Sequence, residues 1–417
     1  MNSASEKLGN SGSDGAQRIS SRTPGEISIR VVGEIASVDA AGWDALDHGA
    51  SPFLKHGFLL ALEDSGTIDT PRSRTAAGAQ RKPTGWTSMY ILAESAGSLV
   101  GGVAAFIKTH SYGEYIFDWG WANAAARAGI AYYPKLVVAA PVTPATGQRL
   151  LLAPGAGLFV SEALIAAVRA IADDTGCSSI HWLFCTQNEQ ALLERSGFFG
   201  RTTLQFHWRN RDYQTFDDFL AGLKSRKRKQ VRKERQRAQA AIDRLQWVSG
   251  RNATQEQLDD LDRFYRLTTA NYGGRDYLRP GFFHRLAQTL PDEMQMVEVI
   301  AVGKRIAGAL FMETPQALYG RCWGADASVD LLHFETAYYA GIERAIDHRL
   351  PLFEAGAQGE HKLLRGFEPS AIYSAHWIRH AGLAAAVREH TESERRAMAQ
   401  QLEELAAFGP YRTDPVG

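Results

Sequence analysis

The stretch Gln358-Gly-Glu-His-Lys-Leu-Leu-Arg-Gly-Phe367 repeats the pattern of an earlier stretch, Gln187-Asn-Glu-Gln-Ala-Leu-Leu-Glu-Arg-Ser-Gly-Phe198. A His-Trp pair follows each of them, at His376-Trp377 and at His207-Trp208. The shared Gln, Glu and leucines recur after 171 residues (358 minus 187), and Gly-Phe and His-Trp recur after 169 (376 minus 207). Self-similarity at one long period indicates two copies of one folding unit. The sequence therefore predicts an internal duplication.

The same order of strands is predicted upstream of each stretch. Two apolar runs flank a short turn that contains glycine, at Ala96-Gly97-Ser98 in the first half and at Gly303-Lys304 in the second. This pattern is typical of a β-hairpin. A third extended run follows each hairpin, at Tyr115–Trp121 and at Leu318–Gly324. Each half then reads hairpin, strand, helix, strand, helix, strand, which predicts a mixed α/β (α+β) fold.

Length and composition set the domain organisation. A chain of 417 residues usually forms two or three domains. The first 25 residues are rich in Ser, Gly and Ala and predict a disordered tail. We therefore expect a disordered tail at 1–25, an N-terminal domain at 26–210 and a C-terminal domain at 211–405.

Charge and cysteine content exclude several classes of protein. The 46 basic and 46 acidic side chains cancel, so any role with nucleic acid or membrane must come from a local patch. Three cysteines favour a reducing compartment, and neither they nor the histidines show metal-site spacing. The N-terminus lacks a signal-peptide core and no apolar run reaches the ~20 residues of a membrane span. The sequence predicts a cytoplasmic protein without a bound metal.

Several longer motifs resemble those of the FemAB-like predicted N-acyltransferase family of bacteria, in order from about residue 50 to about residue 395. They are His110–Trp119, Tyr132–Leu136, Gln205–Trp208, Lys227–Arg235, Leu332–Glu335, Phe353–Lys362, Arg365–Phe367 and Tyr373–Trp377. The order of elements is similar to that of the GNAT fold. The resemblance implies two tandem GNAT-like domains that transfer an acyl or aminoacyl group to an amine. It implies acyl-CoA or aminoacyl-tRNA as co-substrate, and no tightly bound cofactor.

The segment from Phe353 to Lys362 is the densest group of proton-handling side chains. Acyl transfer to an amine needs a base and donors that hold an oxyanion. We predict four catalytic residues in this segment: Glu354, Glu360, His361 and Lys362. Either glutamate could be the base, and the histidine has a better-placed unperturbed pKa of about 6.5. The alternative is a helix N-terminal charge at Glu360 and a solvated lysine.

A comparison of the two halves favours the second as the reactive one. His361 and Lys362 stand opposite Gln190 and Ala191, which carry no such chemistry. The Gln and Glu that both halves share favour a structural role instead, such as capping the turn. The sequence therefore predicts that the second copy holds the active site.

Further polar residues are predicted to bind substrate. His333 and Glu335 begin a helix and diverge by about 200°, so one is expected to face the site and the other the fold. Arg321 lies on a strand, where a salt bridge is an even alternative. Tyr133 has half-buried packing as its alternative. The predicted substrate-binding set is Asp118, Tyr133, Lys135, Arg321, His333, Glu335, Gln358 and Arg365.

Residues 224–237 form a basic helix in which nine of fourteen side chains are Lys or Arg. Like charges repel, so an anionic partner is expected: tRNA, the pyrophosphate of CoA, a lipid head group or a nucleotide-linked precursor. The alternative is a solvated arm. The predicted donor-binding residues are Arg226, Lys227, Arg228, Lys229, Arg232, Lys233 and Arg235.

Two functional hypotheses remain at this point. The first is an N-acyltransferase or aminoacyltransferase that acts on a small-molecule or peptide amine. A glycine-rich pyrophosphate loop for CoA is weak in both halves, with Leu152–Gly157 as its best match, which leaves room for aminoacyl-tRNA. The second is a non-catalytic tRNA- or membrane-surface-binding protein on a degenerate acyltransferase scaffold.

Overall fold

The backbone follows two units, each assembled from distant parts of the chain. The computed structural model describes residues 17–19, 27–71, 82–271, 274–357 and 359–412. Unit 1 comprises Met1–Thr203 and Ile372–Arg396, and unit 2 comprises Leu204–Ala371 and Ala397–Gly417. These units differ from the sequence-based domains mainly in the segment 372–396. The tail predicted at 1–25 lies outside the described residues, except for 17–19, which form a strand.

Unit 1 is a mixed sheet with helices. Its strands are β1 (Gln17–Ile19), β2 (Ile27–Val32), β3 (Trp86–Ser95), β4 (Ser98–Lys108), β5 (Lys135–Val138), β6 (Leu151–Leu152) and β7 (Ser179–Cys185). Its helices are α1 (Ala40–Asp44), α2 (His56–Asp64), α3 (Trp119–Arg127), α4 (Leu158–Asp174) and α5 (Gln187–Arg195), with a 3-10 turn at Ile35–Ser37. Strands β5 and β7 are parallel, and the pairs from β1 to β5 are antiparallel. The apolar face of α4 packs on this sheet around the fully buried Trp182.

Two strands extend across the division between the units. They are β8 (Phe199–Arg209) and β14 (Glu368–Ile378). Residues 373–378 of β14 pair antiparallel with β7 inside unit 1, and residues 207–209 of β8 pair antiparallel with a strand of unit 2. Each half of the sequence therefore supplies a strand to the unit that contains most of the other half.

Unit 2 shares with unit 1 an antiparallel hairpin, a third strand, a helix and a strand parallel to the third. Its strands are β9 (Arg244–Ser249), β10 (Met294–Ala301), β11 (Lys304–Thr314), β12 (Ala317–Ala325) and β13 (Leu352–Glu354). Its helices are α6 (Phe216–Gly222), α7 (Ser225–Gln239), α8 (Gln255–Asn271), α9 (Phe282–Thr289), α10 (Leu332–Phe334), a π-helical turn (Glu335–Tyr339), α11 (Ala340–Asp347) and a 3-10 helix (Glu360–Arg365). A last helix, α12, runs from Ala381 to Ala407. The repeated order agrees with the predicted duplication, which stays a prediction.

One predicted strand is wrong. Residues Tyr115–Trp121 do not form the third strand of the first half, because α3 begins at Trp119 and the residues before it are irregular. Tyr115 has a φ of +61° and Gly113 a φ of +81°, values that a strand does not allow. In unit 1 the strand that follows the hairpin β3–β4 is β5. In the second half the prediction is confirmed, since β12 covers Leu318–Gly324.

The sheet of unit 2 has two irregularities beside each other. Strands β12 and β13 are parallel but pair only from Ala317 to Tyr319, opposite Leu352–Glu354. On its other side β12 has a bulge, where Arg321 is inserted between the residues that pair with Leu310 and Phe311. Bulges are frequent next to active sites, where they redirect a side chain.

None of the helices in the described part of the chain is long and apolar enough to cross a bilayer.

The exchange of strands yields a folding prediction. A fragment 1–210 lacks β14, which leaves β7 with an open edge and removes the core residues Ala375 and Ile378. We expect this fragment alone to show no cooperative thermal transition. Co-expression with a fragment 211–417 should restore one, as measured by circular dichroism beside the intact chain. Cooperative unfolding of 1–210 on its own would contradict the arrangement.

Candidate active site

His361 sits on a turn that two glycines shape. Gly356 and Gly359 have φ values of +79° and +110°, which L-residues with side chains rarely adopt. A Cβ on Gly359 would lie 2.5 Å from the His361 ring. The imidazole is half-buried, and its Nε2 lies 2.9 Å from the hydroxyl of Tyr338. Burial, then the positive charges of Arg365 and Lys362, lower the pKa of His361. At neutral pH the ring is therefore neutral and can accept a proton.

Lys362 and Glu354 are both buried close to this turn. Lys362 is 1% exposed, and its ammonium donates a hydrogen bond of 2.6 Å to the carbonyl of Gly356. Burial lowers the pKa of Lys362 from 10.5 to about 7, against the opposing effect of Glu354. Glu354 ends β13 and is 4% exposed. The structure thus brings Glu354, His361 and Lys362 together.

Sequence reasoning missed His207 as a residue of this site. His207 on β8 stands directly opposite Glu354 in the strand register, with its Nε2 3.9 Å from a Glu354 carboxylate oxygen. The same nitrogen lies 3.1 Å from the amide oxygen of Gln205. Burial lowers the pKa of His207 to about 3, so its ring is neutral. The recurring His-Trp pair was the available signal, but nothing in the sequence places β8 beside β13.

His333, within α10, and Glu335, the first residue of the π-helical turn, have different surroundings. His333 lies in a ring cluster with Trp323 (4.8 Å between centroids) and His361 (6.2 Å). Burial lowers the pKa of His333 to about 4. Glu335 instead accepts hydrogen bonds from Arg235 on α7. π-turns are frequent at functional sites, and this one directs Tyr338 onto His361.

A buried ion pair holds the 3-10 helix against α7. Arg365 donates to both carboxylate oxygens of Glu234, at 3.0 and 2.9 Å, and to the carbonyl of His361 at 2.9 Å. Its guanidinium also covers the ring of Phe334 at 3.5 Å. The hydroxyl of Tyr339 donates to the same glutamate. Arg365, which the sequence assigns to substrate, is thus engaged in positioning the turn that carries His361.

The basic run forms α7 and divides into two sets. Val231, Glu234 and Ala238 face the core. Three arginines have acidic partners: Arg232 with Asp217, Arg235 with Glu335 and Glu343, and Arg237 with Asp330. Five basic side chains pair with no acid among the described residues, and they are Arg226, Lys227, Arg228, Lys229 and Lys233. This second set, the α7 basic patch, is available to an anion.

The residues predicted in the first half form a closed network inside unit 1. The ammonium of Lys135 donates to Asp118, to Glu114 at 2.8 Å and to Ser111 at 2.9 Å. The hydroxyl of Tyr133 lies 2.8 Å from that of Ser111. Burial works against the charge on Lys135, but the two carboxylates outweigh burial and raise its pKa. These hydrogen bonds connect the segment before α3 to the first residue of β5.

Three further predicted positions complete the comparison. Gln358 lies outside the described residues, and the side chain of Glu360 is likewise not among those described. Arg321 occupies the bulge of β12. In unit 1 the counterpart of Glu360 is Glu189, which with Thr186 makes a capping box at the start of α5. That residue is structural, as the comparison of the two halves predicts.

Strands and helices alternate in both units, which gives the chain a mixed α+β fold. The chain belongs to the FemAB-like family, whose model, described as peptidoglycan biosynthesis/recognition, matches residues 34–413. No curated protein matches the chain. The protein is thus an acyltransferase by class.

Several solved structures are similar at low sequence identity. FemX aligns with 12% identity over 73% of this chain and 91% of its own, with a TM-score of 0.47. The C-terminal domain of a putative lysylphosphatidylglycerol synthetase from Agrobacterium fabrum aligns with 12% identity over 69% and 85%, with a TM-score of 0.43. A tandem GNAT protein from the clavulanic acid biosynthesis pathway aligns with 11% identity over 80% and 98%, with a TM-score of 0.38.

The burial of Lys362 makes stability depend on pH. Between about pH 7 and 10.5 the unfolded chain keeps the lysine proton and the folded chain does not, so this residue makes stability rise with pH. In Lys362→Met we expect the slope of unfolding free energy against pH to fall by about 1.4 kcal/mol per unit in that window. Urea unfolding from pH 7 to 10 measures it. The exposed control Lys229→Met should keep the original slope, and an unchanged slope in Lys362→Met would contradict the burial of its charge.

Proposed function

We propose that unit 2 transfers an acyl or aminoacyl group from an activated anionic donor to an amine, with the chemistry at His361. The observation that supports this best is a neutral, half-exposed imidazole that a tyrosine hydroxyl and a glycine turn hold in place. A general base works best when its nitrogen is unprotonated at the working pH and fixed in orientation. His361 has both properties, whereas Glu354 is nearly inaccessible.

The proposed reaction proceeds through a tetrahedral intermediate. The amine nitrogen attacks the donor carbonyl while His361 takes a proton from the amine. The same proton can then pass to the leaving oxygen or sulfur. Positive charge close to the carbonyl stabilises the developing oxyanion. Lys362 supplies such charge when it is protonated, a form that the nearby Glu354 favours. The ammonium of Lys362 is hydrogen-bonded to the carbonyl of Gly356, so its charge acts through the turn that carries His361.

Two features favour aminoacyl-tRNA over acyl-CoA as the donor. A CoA pyrophosphate usually binds a glycine-rich loop at a helix N-terminus. The segment of unit 2 between β12 and α10, residues 326–331, contains no glycine. The α7 basic patch belongs to a helix that Glu234 and Arg365 tie to the turn of His361. A long polyanion could therefore contact α7 while its acylated end reaches the site.

Loss of the base should separate binding from turnover. We expect His361→Ala to lower the rate of transfer by roughly 10²- to 10⁴-fold and to leave donor binding unchanged. Gly359→Ala should lower the rate as well, because its methyl group would displace the imidazole. Single-turnover transfer from radiolabelled aminoacyl-tRNA, with fluorescence binding in parallel, measures both. Full activity of His361→Ala would refute the proposed base, and the unit 1 variant His110→Ala serves as the matched control.

The α7 basic patch should determine the salt dependence of donor binding. Replacement of its five residues by Gln leaves up to five phosphates without a cation, so the slope of log affinity against log salt should fall by about 0.7 to 0.9 for each of these phosphates. Filter binding of tRNA between 50 and 200 mM salt measures the slope. A control carries five Gln replacements elsewhere on the surface, at Arg127, Arg195, Lys304, Arg388 and Arg396. Equal slopes for the two variants would remove α7 from the binding surface.

A further inference from the structure

The sheet of unit 2 ends in a strand with an unpaired side. Strand β9 pairs with β10 from Arg244 to Ser249, and it is the last strand in the order of this sheet among the described residues. Every second N–H and C=O of such a strand faces away from the sheet. Proteins usually protect an exposed edge with lysines, a proline or a bulge. Residues Arg244–Ser249 (Arg-Leu-Gln-Trp-Val-Ser) contain no lysine, proline or bulge, and Arg244 is their single charged side chain.

A groove opens beside this edge. Its volume is about 490 Å³, within the range of about 300 to 1,000 Å³ of ordinary ligand sites. One side consists of β9 and the turn before it, from Ile242 to Trp247, and the other side consists of α7 and α11. A second concavity of about 520 Å³ continues between α6 and α7, and the two share Arg235, Gln239 and Glu343.

The floor and rim of the groove differ in character. Leu245 and Trp247 alternate along β9 and give an apolar floor, and the guanidinium of Arg344 covers the indole of Trp247 at 4.4 Å. At the rim, Arg244 and Asp347 are exposed and have no ion-pair partner among the described residues. The rim therefore offers one positive and one negative charge to a ligand that carries both signs.

We propose that an extended peptide segment binds in this groove as an additional strand on β9. The reason is chemical, because a row of alternating backbone donors and acceptors is matched by another extended backbone. An apolar floor with alternate side-chain positions and a rim of both signs fits a peptide of mixed charge. A second copy of the chain fits less well, since α7 and α11 stand beside the edge.

Backbone amide exchange tests the peptide directly. The probe is the blocked hexapeptide acetyl-Thr-Glu-Val-Thr-Lys-Val-amide at millimolar concentration, with a control in which both Thr residues are Pro and cannot donate. We expect slower hydrogen exchange within Arg244–Ser249 in the presence of the probe and no change with the proline control. Protection that is absent from β9, or equal for both peptides, would overturn the proposal.

Side-chain variants test the charge complementarity. Arg244→Ala and Asp347→Ala should each weaken binding of the labelled probe roughly two- to fivefold, the range of exposed ion pairs. The matched unit 1 replacements Arg127→Ala and Asp174→Ala should leave it unchanged. Sedimentation that shows a dimer which Arg244→Glu abolishes would assign the edge to a second copy and overturn the peptide.

Discussion

The pairing of Glu234 with Arg365 is the interaction on which the candidate site depends. It joins the core-facing side of a very basic helix to the turn that carries His361, and both side chains are almost fully buried. In other proteins, removal of one partner from such a pair costs about 3 to 5 kcal/mol, because the remaining charge has no solvent. The same glutamate accepts the hydroxyl of Tyr339, so the π-helical turn is fixed to it as well. One carboxylate thus sets the relative position of three elements.

This arrangement explains why so basic a helix is folded in a chain of zero net charge. Fourteen residues with nine cations repel one another, and intrinsic helix propensity does little to offset that. Acids on neighbouring elements neutralise Arg235 on the side of α7 that faces the protein, through Glu335 and Glu343, and the helix's own Glu234 pairs with Arg365 there. The remaining cations stay on the other side. In the folded protein the cations without an acidic partner therefore lie together on one side of α7.

Local patterns predicted much of the fold. The hairpins, β2, α4, β7 and β12 follow from apolar runs and turn residues, because these elements are determined by their own sequence. The strand expected at Tyr115–Trp121 failed because Glu114 and Asp118 turn inward to Lys135, a contact between distant residues. His207 escaped notice for the same reason. Its role arises from a strand pairing across more than 140 residues, which periodicity does not encode.

The sequence predicted which residues lie together at the candidate site, but not how buried each side chain is or which protonation state it has. His361, Lys362 and Glu354 are close in sequence, so their meeting follows from chain connectivity. Their protonation does not, since the pKa of Lys362 depends on burial under a turn that Gly356 and Gly359 shape. Arg365 shows the converse. Its charge suggested an anionic ligand, whereas the structure satisfies it internally with Glu234.

The position of β14 has a consequence for synthesis on the ribosome. The sheet of unit 1 is complete only when residues up to Ile378 have emerged, although most of that unit is made first. Domains generally fold in the order of their translation, so β7 would wait with an open edge while unit 2 is produced. We expect chaperones to bind an incomplete sheet of this kind. The nascent chain would therefore remain vulnerable until translation is nearly finished.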